Sequence, residues 1–446
     1  MNIKSFIRKV IELGNSLGTR YIDDIRIRES DFTRHRKITL SHLYLQMFAN
    51  KGKSQKNEIN DFYKNIKSPV EVSQTAFYNA RMKFNPEALL KMMQDLMQET
   101  YETEDCLITL NGYFVCAIDG SDFILPSTPT NKEIYGAAKN ATDSEVVMAS
   151  VSSAFDCINK LFLDIKINPY KYSEQISARE HLRKVKEVLP KDSKMLCIFD
   201  RGYPSIRMID QMIDDGQKFL IRLKNTDFKR ETAKLIKETD DKWIDVIYDS
   251  TRTNAFRKDI RFRQKLLGTK YHLRFVKIPL IKSDGEQVIE YLVTNLDDTE
   301  FDTAALKELY HVRWDIESCY RSLKSQFKIE EFSGNRDILI RQDIYASAFV
   351  YNTISMTIAE NEKVKKLPEE RYRYEMKVNR NYAIGVVKRD FLEMFVLYRD
   401  KKAAEAARKR FEEQIVKHTC PVRKHRRYRR NKLAVNKSKI AYRKSY

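Results

Sequence analysis

Two apolar runs, each closed by an aspartate, constrain this chain most: Phe-Val-Cys-Ala-Ile ahead of Asp119, and Met-Leu-Cys-Ile-Phe ahead of Asp200. Residues that are apolar at consecutive positions do not alternate as a half-exposed strand would. They suit strands covered on both faces. Asp119 is followed by Gly120 and Ser121, and Asp200 by Arg201, Gly202 and Tyr203, so both carboxylates are expected where a buried strand emerges into a turn. If the two strands are neighbours, their acids meet at one edge of a sheet.

The surrounding texture extends this picture. From residue 106 to 224 the chain reads as three strands in series, then strand, helix and strand, with a helix at 173–189 before them. That order describes an α/β mixed sheet flanked by helices. Residues 225–298 read as a β-rich insertion, with "KWIDVIYDS", "DIRFRQKLL", "YHLRFVKIPLI" and "VIEYLVTNL" between polar turns. Helices return over 299–413. Residues 1–105 are helical and polar. Within them, the helix led by Ser54, a break at Pro69 and a helix capped by Ser73 suggest a helix-turn-helix DNA-binding domain, with Gln74, Thr75, Tyr78, Asn79 and Arg81 on its second element. Glu413 is the last acidic residue. The basic tail 414–446 carries 12 Lys or Arg and reads as a disordered arm that tracks phosphates.

One helical stretch carries the third candidate acid. In "YHVRWDIESCYRSLK", Tyr310, Arg313, Glu317 and Lys324 fall on one side of a helix wheel, while Leu309, Val312, Ile316, Cys319, Leu323 and Phe327 fall on the other. The apolar side is the one to bury, so the polar stripe is expected to face outward, into a cleft or solvent. As an isolated feature it could be an ordinary ion-paired surface, with Arg313 and Glu317 at i,i+4.

Charge narrows the partners. With 82 Lys+Arg against 62 Asp+Glu, the formal net charge is +20, which calls for a polyanion. No apolar run approaches the ~18 residues of a spanning helix, so nucleic acid is favoured over membrane. The N-terminal segment reads as an amphipathic helix rather than a signal peptide, and the six scattered cysteines contain no Cys-x-x-Cys pair. Both features suit a reducing cytoplasm.

Three carboxylates around a gap offer the hard oxygen ligands that Mg²⁺ takes, with Mn²⁺ able to substitute. Two such ions can activate a hydroxyl and stabilise the leaving oxygen of an in-line displacement at phosphorus. A glycosidase also needs two carboxylates, but it gives no reason for the cationic chain or for Arg313 and Lys324 beside Glu317.

Taken together, "AIDGS", "FDRGYPS", "FLIRLK", "YLVTNL", the spaced set Tyr310-x2-Arg313-x3-Glu317-x6-Lys324, and "EEFSG" and "RQDIYA" after it resemble the DDE transposases of bacterial insertion sequences, in the branch with the Tyr-Arg-Glu-Lys signature. The resemblance runs from about residue 106 to the tail. It implies a ribonuclease-H-like catalytic core interrupted by the β-rich insertion, with Asp119, Asp200 and Glu317 as catalytic metal ligands. Tyr310 and Arg313 would contact the phosphate beside the cleavage site, and Lys324 would be a further DNA contact. Arg201 and Arg222 would support them. It further implies cleavage of double-stranded DNA at terminal inverted repeats, joining to target DNA, and a homodimer in the DNA complex. Where well-understood relatives carry a tryptophan that stacks on a flipped base, this chain has Tyr291, whose smaller ring can also stack. Two other readings share these residues: a non-catalytic DNA-binding regulator descended from a transposase, and a metal-dependent nuclease that only hydrolyses DNA.

Overall fold

The computed structural model describes residues 6–103, 106–139, 144–281, 287–364, 375–398 and 400–422. The N-terminal segment forms six helices: α1 (Phe6–Arg20), α2 (Ile22–Ile25), α3 (Leu40–Ala49), α4 (Gln55–Asn65), α5 (Gln74–Arg81) and α6 (Pro86–Thr103). Their starts follow from side-chain caps. The Thr39 hydroxyl accepts from the His42 N–H, and the Ser73 hydroxyl accepts from the Ala76 N–H. Ser54 precedes α4, but its side chain makes no capping bond.

The middle of the chain supplies the sheet. Its elements are β1 (Tyr113–Ile124), α7 (Pro129–Tyr135), β2 (Ala137–Lys139), β3 (Glu145–Asp156), β4 (Leu161–Pro169), α8 (Glu174–Val188), β5 (Lys194–Phe199), α9 (Ile206–Asp214) and β6 (Lys218–Leu223). β1, β5 and β6 are mutually parallel, and β3 runs antiparallel to β1 on its other side. β1 is therefore a central strand; helix α8 and a later helix, Trp314–Ser325, pack against it, and Val115 to Ile118, apolar without alternation, are all buried.

The segment read as an insertion contains α10 (Lys229–Thr232), β7 (Asp240–Ile247), α11 (Ile260–Gly268), β8 (Lys270–Ile281) and β9 (Gln287–Thr294). β9 pairs antiparallel with β6, so these strands continue the central sheet, whose order is β2-β3-β1-β5-β6-β9-β8-β7 with β4 on β3. The stretch "DIRFRQKLL" is a helix here, contrary to its reading as a strand. Its Ile-Arg-Phe-Arg alternation satisfies a strand period, but Asp259 accepts from the Phe262 N–H and starts a helical turn.

The remaining elements are α12 (Thr303–Val312), α13 (Trp314–Ser325), α14 (Asp337–Val364), β10 (Met376–Val378), α15 (Arg380–Leu397), α16 (Lys401–Lys417) and β11 (Thr419–Pro421). Residues 414–422, assigned to the tail by their charge, instead complete α16 and pair with β10 through β11. The arginine-rich remainder, 423–446, lies outside the described residues. One buried apolar cluster runs from Phe6 to Ile415, because α14 packs along α6 and β4, while α1 and α3 pack on α14 and α15. Among the described residues no helix is long and apolar enough to cross a membrane.

A buried ion pair ties α5, the second element of the expected helix-turn-helix, to this core. Arg81 is 1% exposed; its Nη2 donates to Asp343 Oδ1 at 2.9 Å and its Nε to Gln342 Oε1 at 2.9 Å. Arg81 therefore does not face a DNA groove, as its place on α5 suggested; Gln74, Thr75 and Asn79 remain exposed. Arg81→Ala leaves the Asp343 carboxylate buried without its counterion and is expected to cost about 3–5 kcal/mol in urea unfolding. A loss under about 1 kcal/mol would contradict this account of the clasp.

Candidate active site

The register of the central strands brings the two aspartates together. Ala117 on β1 pairs with Ile198 on β5 in parallel, so Asp119 and Asp200, two residues further along each strand, are level on neighbouring strands and share a face. β5 ends at Phe199, which leaves Asp200 in the turn as expected. Asp119 differs from its expected place: β1 continues through it to Ile124, with β3 as the strand still paired to it, so the carboxylate stands mid-strand where β1 outruns β5.

The helical stretch that carries Glu317 folds onto this edge in two pieces. α12 and α13 meet at Arg313, which keeps helical angles (φ −52°, ψ −31°) while the hydrogen bonds tighten to i→i+3, from Arg313 N to Tyr310 O at 3.2 Å and from Ile316 N to Arg313 O at 3.1 Å. Leu309, Ile316, Cys319 and Leu323 are buried, as the wheel requires. The polar stripe divides: Glu317 and Lys324 line an open cleft, as expected, whereas Tyr310 and Arg313 do not face outward. Tyr310 is 4% exposed and Arg313 2% exposed, because the acids on the sheet edge draw both side chains inward.

Arg313 is the hub of the resulting cluster. Its Nη1 donates to Asp119 Oδ2 at 3.3 Å and its Nη2 to Glu317 Oε1 at 2.8 Å, with Asp200 Oδ2 3.9 Å from Nη2. Tyr310 donates its hydroxyl to Asp200 Oδ1 at 2.9 Å, and the Arg313 guanidinium carbon lies 5.6 Å from the Tyr310 ring centre. Beside this lies an open cleft of about 440 Å³ lined by Asp119, Gly120, Ser121, Glu317, Tyr320, Arg321 and Lys324.

The two aspartates titrate differently. Burial pushes the Asp119 carboxyl up to about 6, against the opposing Gly120 N–H bond and the Arg313 charge. Burial also acts on Asp200, but there the Arg201 N–H, the Arg313 guanidinium, the Tyr310 hydroxyl and Arg222 together outweigh it and hold the carboxyl below its usual range. Burial alone would lower the Arg313 pKa; Tyr310, Asp200, Asp119 and Glu317 raise it instead, so the guanidinium stays charged.

Among the described residues no group of three His, Cys, Asp or Glu side chains is spaced to hold a metal ion. A guanidinium stands in the gap between the three acids instead. The donor set nonetheless suits a divalent ion, being three carboxylates of the hard oxygen type. A positive charge already sits among them. Two buried polar atoms beside it, Arg313 Nε and the Tyr203 hydroxyl, have no hydrogen-bond partner.

The other expected contacts divide. Arg222 is close, its guanidinium 6.0 Å from the Tyr310 ring and its Nε 2.7 Å from Glu290 Oε1. The Arg201 side chain is exposed; its backbone N–H is the part that serves Asp200. Lys324 is half-buried in the cleft wall, with Nζ on the Asp122 carbonyl and 4.8 Å from the Phe123 ring, and burial lowers its pKa. Tyr291 is not brought in. It pairs with Leu223, and alternation along the strand turns it to the face opposite Arg222 and Glu290, where it packs half-buried on the core.

Several side chains at the site carry no signal in the sequence. Glu290 supports Arg222; Glu174 sits within electrostatic reach of Asp200 and Asp122, close enough to Gly202 that a Cβ there would meet its Oε2 at 2.7 Å. Tyr320 hydrogen-bonds the Asp119 carbonyl at 3.0 Å. Trp314, beside Arg313, is 38% exposed. A buried Ser152–His181–Asp164 chain has the order of a nucleophilic triad, with links of 2.9 and 2.7 Å, but Gln94 takes the second Asp164 oxygen and all three residues are enclosed. It is a strut joining α6, α8 and the sheet.

Comparison with known proteins agrees with this architecture. A model of the transposase DDE domain matches residues 111–353, which is more than half of the chain and includes Asp119, Asp200 and the α12–α13 stretch. The chain is 28% identical over 155 residues to a Sinorhizobium fredii protein named "Putative transposase y4zB", a match that spans 34% of this chain and 40% of that protein. In three dimensions it is similar in fold to the piggyBac transposase, solved by cryo-EM as a synaptic complex with hairpin DNA. The TM-score is 0.50 at 10% identity, over 93% of this chain and 86% of that one. The chain belongs to the transposase DDE-domain family.

Proposed function

We propose that this protein is a DNA transposase that cleaves double-stranded DNA at the ends of a mobile element and joins the freed 3′-hydroxyls to a target, in a cut-and-paste reaction. The observation that carries the reading is the convergence of Asp119, Asp200 and Glu317 on one cation, Arg313, at the edge of a sheet of this family. Asp119, Asp200 and Glu317 are the proposed ligands of Mg²⁺. When bound, two such ions supply Lewis acidity to the attacking and leaving oxygens.

The chain's own groups do the rest. Arg313 offsets part of the charge of the three acids in the free protein, and a DNA phosphate offers its guanidinium a bidentate partner in their place. Lys324, held on a carbonyl, can exchange that contact for a phosphate in the same way. Tyr310 fixes the rotamer of Asp200 through its hydroxyl and backs the guanidinium with its ring. The net charge of +20 supplies the long-range attraction to DNA, with the basic segment 423–446 as an added phosphate contact.

Asp119 must give up its proton before it can hold a metal ion, and its pKa near 6 sets where that happens. Mn²⁺ affinity, read by electron paramagnetic resonance, should weaken about tenfold per pH unit below about 6 and level off above it. An affinity constant between pH 5 and 7 would contradict that role. The reading as a whole is tested by Mg²⁺-dependent nicking of a plasmid that carries the DNA flanking this coding sequence. The wild type should nick at the element ends and Asp119→Ala should not. Specific binding without nicking in either protein would favour a regulator.

A further inference from the structure

The α12–α13 stretch is tied to β1 at three points. Arg313 reaches the Asp119 carboxylate, Tyr320 the Asp119 carbonyl, and Lys324 the Asp122 carbonyl. Two of these ties are cations held by oxygen atoms, and a phosphate competes for both. Tyr320 is different. It is neutral, 5% exposed, and one turn beyond Glu317 on the same face of α13.

Its hydroxyl lies 3.0 Å from the Asp119 carbonyl, 3.1 Å from the Val151 carbonyl and 2.7 Å from Ser153 Oγ. Carbonyl oxygens only accept, so the Tyr320 proton is shared between them, and Ser153 must donate into the tyrosine oxygen. Asp119 and Ser153 are directly paired across β1 and β3, so the hydroxyl spans the ladder at the level of the acid. The Tyr320 ring meets Phe123 edge to face with centres 6.3 Å apart, which fixes the side chain from below.

We infer that Tyr320, oriented by Ser153, is the positioning residue that keeps Glu317 opposite Asp119 once Arg313 and Lys324 are drawn onto substrate phosphates. This rests on the function proposed above. In the free protein the two cations share the task. In the DNA complex the buried apolar face still seats α13, and the tyrosine tie is the hydrogen bond that remains between α13 and Asp119, so its loss loosens metal binding without removing a ligand.

The test compares full-length wild type, Tyr320→Phe and Ser153→Ala, each bound to duplex DNA carrying the element's flanking sequence. Mn²⁺ binding is read by electron paramagnetic resonance, and cleavage is followed as a function of Mg²⁺ concentration. Both variants should need about tenfold more metal for half-saturation, with the maximal rate at saturating metal within about threefold of wild type. An unchanged half-saturation, or a rate that falls by the same factor at every metal concentration, would make Tyr320 a packing residue only and overturn the inference. A wild type that cleaves normally alongside unshifted variants refutes this inference alone. A wild type with no Mg²⁺-dependent cleavage refutes the function it rests on as well.

Discussion

Glu317→Gln is expected to lower DNA cleavage by at least about a thousandfold, equivalent to ~4 kcal/mol of barrier, while binding of element ends stays within a few-fold of wild type. The substitution preserves shape, and the amide oxygen can still accept the Arg313 Nη2 bond now made by Oε1. What it removes is a negative charge. Single-turnover cleavage beside an electrophoretic binding assay reads the two effects separately. Parallel loss of binding and cleavage would show instead that Glu317 holds α13 in place.

Arg313→Gln is expected to act in two opposite directions. Without DNA or metal, Asp119, Asp200 and Glu317 lose the cation that all three face, and the variant should be less stable by about 3 kcal/mol. Mg²⁺ should restore most of that loss, because an ion that binds only the folded state stabilises it by mass action. Affinity for Mn²⁺ in the absence of DNA should rise about tenfold, since the ion no longer competes with a guanidinium for the same oxygens. Cleavage should nevertheless fall, through loss of the phosphate contact. Melting curves in EDTA and in Mg²⁺ check this directly. Equal destabilisation in both would show that Arg313 serves the fold and not the cation site.

The sequence made some of this legible and concealed the rest for identifiable reasons. The runs before Asp119 and Asp200 predict strands covered on both faces, and β1 and β5 are such strands, adjacent and in register. The spacing of Tyr310, Arg313 and Glu317 predicts one polar side, and those three side chains do gather on the two aspartates. A helix wheel identifies the apolar side but does not say whether the polar side is also covered, so the burial of Tyr310 and Arg313 was hidden. Arg81 reads as a surface cation in the sequence because its partner Asp343 is 262 residues away. The resemblance points to Tyr291 by position alone, and the two-residue period of β9 turns its side chain to the face opposite Arg222 and Glu290. Tyr320 and Ser153 carry no signal of their own; a tyrosine on a half-apolar helix and a serine in a small-residue strand acquire meaning only when β3 is laid beside β1.

The most direct test of the central claim is a strand-transfer assay. A labelled duplex ending in a free 3′-hydroxyl at the element boundary is incubated with a supercoiled target, Mg²⁺ and either wild type, Asp119→Ala, Asp200→Asn or Glu317→Gln. The wild type should covalently join the labelled end to the target, and each variant should bind the end but fail to join it. Joining by any of the three variants at the wild-type rate would contradict the assignment of that carboxylate. A wild type that hydrolyses DNA without ever joining it would contradict transposition itself.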